Sequence, residues 1–228
     1  MAGILVEVIV SWILLWVVCK EHLPALGITP TRFRMIHLFG GLLVAAACCA
    51  AYEIMTTAFG NNQWILNSEI TGSAILEGSR YTLVSVLYEE LIFRGALLYI
   101  AIKKLGVTKA CFLSASCFGI YHWFTFNTLG NPVMMVITFL MTGIAGLAWA
   151  FAFAKTGSMY LPMGLHLGWN LCNMVLFSSG SSVQSILVRA NENKAQGVTS
   201  LFIFLFQVLA LPLITYWYLK RGIGEKLR

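Results

Sequence analysis

The chain has 228 residues, of which 59% are hydrophobic and 11% are charged, and its mean hydropathy is +0.81. Several apolar runs approach the roughly 20 residues that a helix needs to cross a bilayer, so the composition excludes a soluble globular domain. The 15 Lys and Arg residues against 9 Glu give a net charge of +6, but they lie mostly in short loops. In such loops basic residues set membrane topology, so the charge does not indicate nucleic-acid binding.

The apolar runs predict one domain over residues 1–228, an all-α polytopic membrane bundle of about seven transmembrane helices around a polar cavity. The predicted spans are roughly 4–19, 37–59, 81–102, 110–127, 132–154, 160–177 and 198–219. The first run has neither a basic segment before it nor a small-residue cleavage site, so we interpret it as a retained span. The segments 60–79 and 178–197 are more polar and are predicted to be outer loops.

The basic residues divide unequally between the two predicted sides of the membrane. Arg80, Arg189 and Lys194 fall on one side, and Arg94 lies within a span. The other eleven fall together: Lys20, Arg32, Arg34, Lys103, Lys104, Lys109, Lys155, Lys220, Arg221, Lys226 and Arg228. Since the more basic side faces the cytoplasm, we expect the N-terminus outside and the C-terminus in the cytoplasm.

Two adjacent carboxylates, Glu89 and Glu90, interrupt the apolar run of the third span. Charged groups at membrane depth cost at least a few kcal/mol each and usually face a protein interior or a water-filled cavity. Glu90 and Arg94 are four residues apart on one helix face and can form an ion pair. Glu89 is rotated by about 100° from Glu90, which leaves it without an ionic partner in its own helix.

Three further polar side chains lie within predicted spans: His122 in the fourth, and His166 and Asn170 in the sixth. His166 and Asn170 are four residues apart and share a helix face. Each one alone could be a packing hydrogen bond between helices, as could Asn173 one turn further. Together with Glu89 they provide the base, the imidazoles and the amide donor that activation of water requires.

Three short motifs lie in order along the chain, each within an apolar segment: Glu89-Glu90-x-x-x-Arg94, Phe118-x-x-x-His122 and His166-x-x-x-Asn170. In this order they resemble the motifs of the CAAX-protease and bacteriocin-processing (CPBP, or Abi) family of intramembrane endopeptidases. The resemblance covers roughly residues 80 to 178. It implies cleavage of a peptide bond in a membrane-associated substrate, either prenylated or carrying a leader peptide. It also implies an integral protein of the cytoplasmic membrane of a prokaryote, with the lipid bilayer and the substrate, not nucleic acid, as partners.

The resemblance also implies a role for each motif residue. Glu89 would polarise the attacking water, and His122 would hold that water or a metal ion. His166 and Asn170 would stabilise the tetrahedral oxyanion or complete a ligand set. Three residues would support these four: the ion pair of Glu90 with Arg94, and Phe118 packed behind His122.

The residues leave the question of a metal ion open. The chain has no His-Glu-x-x-His motif, although the family is often described as metalloproteases. Glu89, His122 and His166 could ligate a divalent metal such as zinc. The same three groups could activate a water without a metal.

Two other functions fit parts of the pattern. A proton-coupled transporter could use Glu89, Glu90 and the histidines as a relay, but the sequence contains no internal repeat of the kind common in transporters. A catalytically silent immunity or scaffold protein is the other alternative, and the intact motifs argue against it.

The predicted topology also gives the depth of the site within the membrane. The third span would run inward from Tyr81, which puts Glu89 eight residues in, at a depth of about 12 Å. His122 would lie about five residues from the outer end of its span. We therefore expect a mid-membrane site that opens laterally to lipid, with the outer leaflet slightly favoured as the entrance for water. The resemblance implies the opposite side, because eukaryotic family members act on cytosolic C-termini.

Overall fold

The computed structural model describes residues 2–177 and 184–221. Within these ranges it contains eight α-helices and two short strands, with a π-helical turn after α1 and another after α7. The elements are α1 (Ala2–Leu14), α2 (Arg32–Ala58), β1 (Trp64–Leu66), α3 (Gly72–Arg94), α4 (Ala96–Leu105), α5 (Val107–Thr125), α6 (Pro132–Thr156), α7 (Tyr160–Leu171), β2 (Leu187–Arg189) and α8 (Gly197–Lys220). The π-helical turns are Leu15–Cys19 and Cys172–Leu176, and a 3₁₀ turn covers Leu23–Leu26.

Side-chain caps fix the starts of three long helices. Thr31, Thr71 and Asn131 each accept a hydrogen bond from the backbone N–H three residues later. Such a cap satisfies one of the N–H groups that a helix leaves free at its first turn. Thr71 therefore starts α3 at Gly72, nine residues before the predicted start at 81. The prediction was wrong here because the cap lies outside the apolar run.

The predicted span 81–102 was also wrong as a single helix. It is divided at Gly95, where φ is −81° and ψ is −137°, so α3 ends at Arg94 and α4 begins at Ala96. A Cβ at Gly95 would lie 2.1 Å from the carbonyl oxygen of Leu91, so only glycine fits this bend. Hydropathy continues across the break and gives no sign of it.

Small residues bring α7 very close to α2. A Cβ at Gly164 would lie 2.2 Å from the carbonyl oxygen of Leu38, and a Cβ at Gly168 would lie 2.2 Å from that of Leu42. Glycines four residues apart let two helix backbones approach each other in this way. His166 lies between the two glycines, so the same contact fixes the position of this histidine.

The two predicted outer loops do not remain separate. Strands β1 and β2 pair antiparallel, with Trp64 opposite Arg189 and Leu66 opposite Leu187. Residues 178–183 of the second loop lie outside the described part of the chain, and residues 72–79 of the first loop belong to α3.

Buried Glu53 of α2 ties this small sheet to the helices. Its carboxylate accepts a hydrogen bond from Asn173 at 3.0 Å and forms an ion pair with Arg189 at 3.4 Å. The Trp64 indole N–H also donates to the Glu53 backbone carbonyl at 3.1 Å. The sequence prediction did not consider Glu53, although a lone carboxylate in an apolar run is a signal for a buried polar contact.

Within the described residues, three helices are long and apolar enough to cross a membrane: α2, α6 and α8. The segment Gly3–Cys19, which comprises most of α1 and its π-helical turn, is a shorter apolar helix. These helices indicate an integral membrane protein, and the count of seven spans and the orientation of the termini stay predictions. Lys226 and Arg228, which contributed to the predicted orientation, lie outside the described residues.

Candidate active site

A cavity of about 1360 Å³ lies among α2, α3, α5, α6, α7 and α8. It extends from Thr71, at the start of α3, to Glu89, more than four helical turns further along. Five of the seven motif residues line it: Glu89, Phe118, His122, His166 and Asn170. The other two, Glu90 and Arg94, are fully buried next to it.

Glu89 faces both histidines of the motifs. Its Oε2 atom lies 3.9 Å from Nε2 of His122 and 3.7 Å from Nε2 of His166. This oxygen is buried and has no hydrogen-bond partner in the described part of the chain. The hydroxyl of Ser85, one turn earlier on α3, lies beside the same carboxylate group. The structure thus brings together residues from α3, α5 and α7 that are 77 positions apart in the chain.

A hydrogen bond fixes the ring orientation of each histidine. Nδ1 of His122 donates to the carbonyl oxygen of Phe118 at 2.8 Å. Nδ1 of His166 donates to Oε1 of Glu90 at 2.9 Å. The Phe118 carbonyl oxygen can only accept, and Glu90 is ion-paired with Arg94, so we assign the proton of each neutral ring to Nδ1. In the neutral imidazoles, Nε2 therefore directs a lone pair towards Glu89.

A fully buried ion pair lies behind this arrangement. Arg94 NH1 is 3.2 Å from Oε1 of Glu90, and Arg94 NH2 donates to the carbonyl oxygen of Gly146 at 3.4 Å. The guanidinium also lies over the Phe118 ring, 4.1 Å from its centroid. An arginine can satisfy a carboxylate, a carbonyl and an aromatic face at once because its charge is planar and delocalised. Glu90 thereby connects Arg94 to His166, and Phe118 contacts both Arg94 and His122.

The arrangement of Glu89, His122 and His166, the three side chains that could ligate a metal ion, fits a bound metal ion poorly. In the described ranges, no group of three or more His, Cys, Asp or Glu side chains is arranged to hold a metal ion. Ligands at about 2.0–2.1 Å from a tetrahedral zinc are about 3.3–3.4 Å apart, whereas Glu89 lies 3.7 and 3.9 Å from the two histidines. The mechanism proposed below therefore includes no step through a metal.

Residues 71–172, from the cap of α3 to the end of α7, match the family model of type II CAAX prenyl endopeptidases, Rce1-like. Over this segment the chain is similar to the Rce1-like family. The match contains every motif residue from Glu89 to Asn170 and leaves α1, α2 and α8 outside. Searches of curated proteins and of solved structures gave no match.

The Rce1-like segment contains two site residues that the sequence prediction missed, both on α6. Trp149 stacks on the His166 ring, with centroids 4.1 Å apart and an angle of 21° between the planes. Gly146 passes close to the ion pair, and a Cβ there would lie 2.8 Å from Phe118 and 3.1 Å from Arg94. A glycine one turn before a tryptophan is a common pattern in apolar runs, so it did not identify Gly146 and Trp149 as site residues.

Proposed function

We propose that the chain is an intramembrane endopeptidase that hydrolyses a peptide bond with a water activated by Glu89. One observation carries the proposal: Oε2 of Glu89, which has no hydrogen-bond partner among the described residues, faces Nε2 of both motif histidines, and all three groups line one large cavity. The similarity of residues 71–172 to the Rce1-like family supports the reaction class, and the three apolar helices support a membrane-associated substrate.

Glu89 and His122 hold the attacking water. Their facing atoms are 3.9 Å apart, which is too far for a direct hydrogen bond but suits a water bound to both. Glu89 accepts a proton from this water while the oxygen attacks the peptide carbonyl carbon. It then transfers the proton to the nitrogen of the departing amine as the tetrahedral intermediate breaks down.

His166 and Asn170 stabilise the oxyanion of that intermediate. They lie one turn apart on α7, and both face the cavity. The Nδ1 bond to Glu90 fixes the His166 ring beside the oxyanion, and the side-chain amide N–H of Asn170 donates to the oxyanion. Trp149 and the Gly164–Gly168 contact hold the ring in place, so little reorganisation accompanies the reaction.

The predicted orientation completes the proposal. The N-terminus lies outside and the C-terminus in the cytoplasm of a prokaryotic cell. The site lies at mid-depth, opens laterally to lipid and takes its water from the outer leaflet side. The basic-residue distribution supports this orientation.

The test is hydrolysis of acylated, membrane-anchored peptides in detergent made with H₂¹⁸O. A water nucleophile predicts that the new C-terminal carboxylate carries one ¹⁸O atom after a single turnover. Added hydroxylamine should give no peptide hydroxamate at the cleaved bond, since no covalent acyl-enzyme forms. Cleavage without ¹⁸O incorporation, or an acyl adduct on the protein, would contradict the proposal.

A further inference from the structure

A continuous ridge of polar side chains runs along α3 into the cavity. Ser73, Glu77, Tyr81, Ser85 and Glu89 follow one another at intervals of four residues, and all five line the cavity. Residues four apart on a helix are neighbours on its surface, so these side chains form one strip. The strip leads from the first turn of α3 to the catalytic carboxylate.

Among the described residues, the cavity wall carries carboxylates and two histidines but no Lys or Arg. Of these described residues, Glu77 and Glu89 provide the carboxylates. Arg80, on the next turn of α3, does not line the cavity. Residues 178–183 contain only Ser, Gly and Val, so they carry no side-chain charge either.

Glu77 is exposed and makes no ion pair or side-chain hydrogen bond with the described residues. It also precedes the apolar run that begins at Tyr81, so its charge lies outside the predicted span. A solvent-accessible carboxylate on the wall of a substrate cavity is available to bind a cation.

We infer that Glu77 selects substrates that carry a Lys or Arg about five residues from the scissile bond. This inference rests on the proposed peptidase function. Glu77 and Glu89 are 12 residues apart on one helix, which corresponds to about 18 Å. An extended peptide covers about 3.3 Å per residue, so five to six residues span that distance. A basic side chain at that point meets a carboxylate, and an acidic one is repelled.

The test compares acylated fluorogenic peptides that are identical except for one Lys, placed at successive positions from two to nine residues on either side of the cleaved bond. Wild type should show the lowest KM with the Lys about five residues away. Glu77→Gln should raise that KM about two- to fivefold, equivalent to about 0.4–1 kcal/mol, and leave kcat unchanged. A contact made equally in the ground state and the transition state affects KM alone. Glu77→Lys should instead favour a peptide with Glu at the same position.

Glu69→Gln is the matched control, because Glu69 is an exposed carboxylate that precedes α3 and does not line the cavity. It should reproduce the wild-type profile. Cleavage that depends on Glu89 but has the same lysine profile in wild type and Glu77→Gln would overturn this inference alone. Cleavage that persists in Glu89→Ala, or no cleavage of any peptide, would overturn the proposed function and this inference with it.

Discussion

Replacing Arg94 with alanine should destabilise the protein more than any other single change in the motifs. The Arg94 guanidinium is fully buried and pairs with Glu90, whose side chain is also fully buried. Alanine removes the pair, the hydrogen bond to Gly146 and the cationic face over Phe118. It leaves the Glu90 carboxylate with a single partner, His166.

The magnitude follows from these contacts. Removing one partner of a buried ion pair lowers the unfolding free energy by about 3–5 kcal/mol, because the remaining charge stays buried without its partner. The retained bond to His166 lowers the cost, and the space left under Phe118 raises it. We expect Arg94→Ala to lose about 3–4 kcal/mol of unfolding free energy, and Arg94→Lys to lose less because it keeps the charge. Arg94→Ala, Glu90→Gln and their double variant should couple by at least about 1 kcal/mol.

The assay is thermal unfolding in one detergent, followed by the loss of monodisperse protein after heating. Arg80→Ala, an exposed arginine on the same helix, is the control and should leave Tm within about 1–2 °C of wild type. Arg94→Ala should lower Tm clearly and also reduce expression. An Arg94→Ala protein that is inactive but as stable as wild type would refute this reasoning and would place Arg94 in the chemistry.

Three further predictions concern the site and its support. His122→Ala should lower turnover by at least about 10²-fold with little loss of stability, since the charged side chain that faces its ring, Glu89, is 3.9 Å away and is not directly hydrogen-bonded to it. Turnover above about a tenth of wild type would remove His122 from the mechanism. Gly168→Ala should lower the unfolding free energy by about 1–3 kcal/mol, because the added methyl group pushes α7 away from α2. Gly40→Ala on α2 is the control and should cause no such loss, since the space around Gly40 is open. Equal melting temperatures for the Gly168→Ala and Gly40→Ala proteins would refute the close contact. Cysteines placed at Ser85 and Thr125, in a chain without native cysteines, should react with membrane-impermeant thiol reagents from the outer face of oriented vesicles, and labelling of both from the cytoplasmic face alone would contradict the outward opening.

The polar residues of the site could be predicted from sequence because each one is anomalous where it lies. Glu89, His122 and His166 interrupt long apolar runs, and burying a polar group there requires a partner from another helix. The predicted pairing of Glu90 with Arg94 is confirmed by their 3.2 Å contact. The further link from Glu90 to His166 could not be predicted, because it depends on how closely α7 approaches α3.

The parts of the fold that were missed depend on backbone geometry and not on hydropathy. The bend at Gly95 lies within a continuous apolar run, so the pattern predicts one span where the structure has two helices. The pairing of β1 with β2 joins segments more than 120 residues apart, for which three-residue strands give no signal. The spacing of Gly164 and Gly168 was visible in the sequence and would have indicated a close helix contact.

The most direct test of the account compares cleavage of membrane-anchored peptides by purified wild type, Glu89→Ala and Glu89→Gln under single-turnover conditions. Glu89→Gln keeps the size of the side chain and removes its ability to accept a proton, so a fold defect cannot explain its loss of activity. The account predicts that both variants retain the wild-type Tm within a few degrees and cleave at least about 10³-fold more slowly, which is about 4 kcal/mol of barrier. Cleavage by Glu89→Gln at the wild-type rate would contradict the central claim that this carboxylate activates the water.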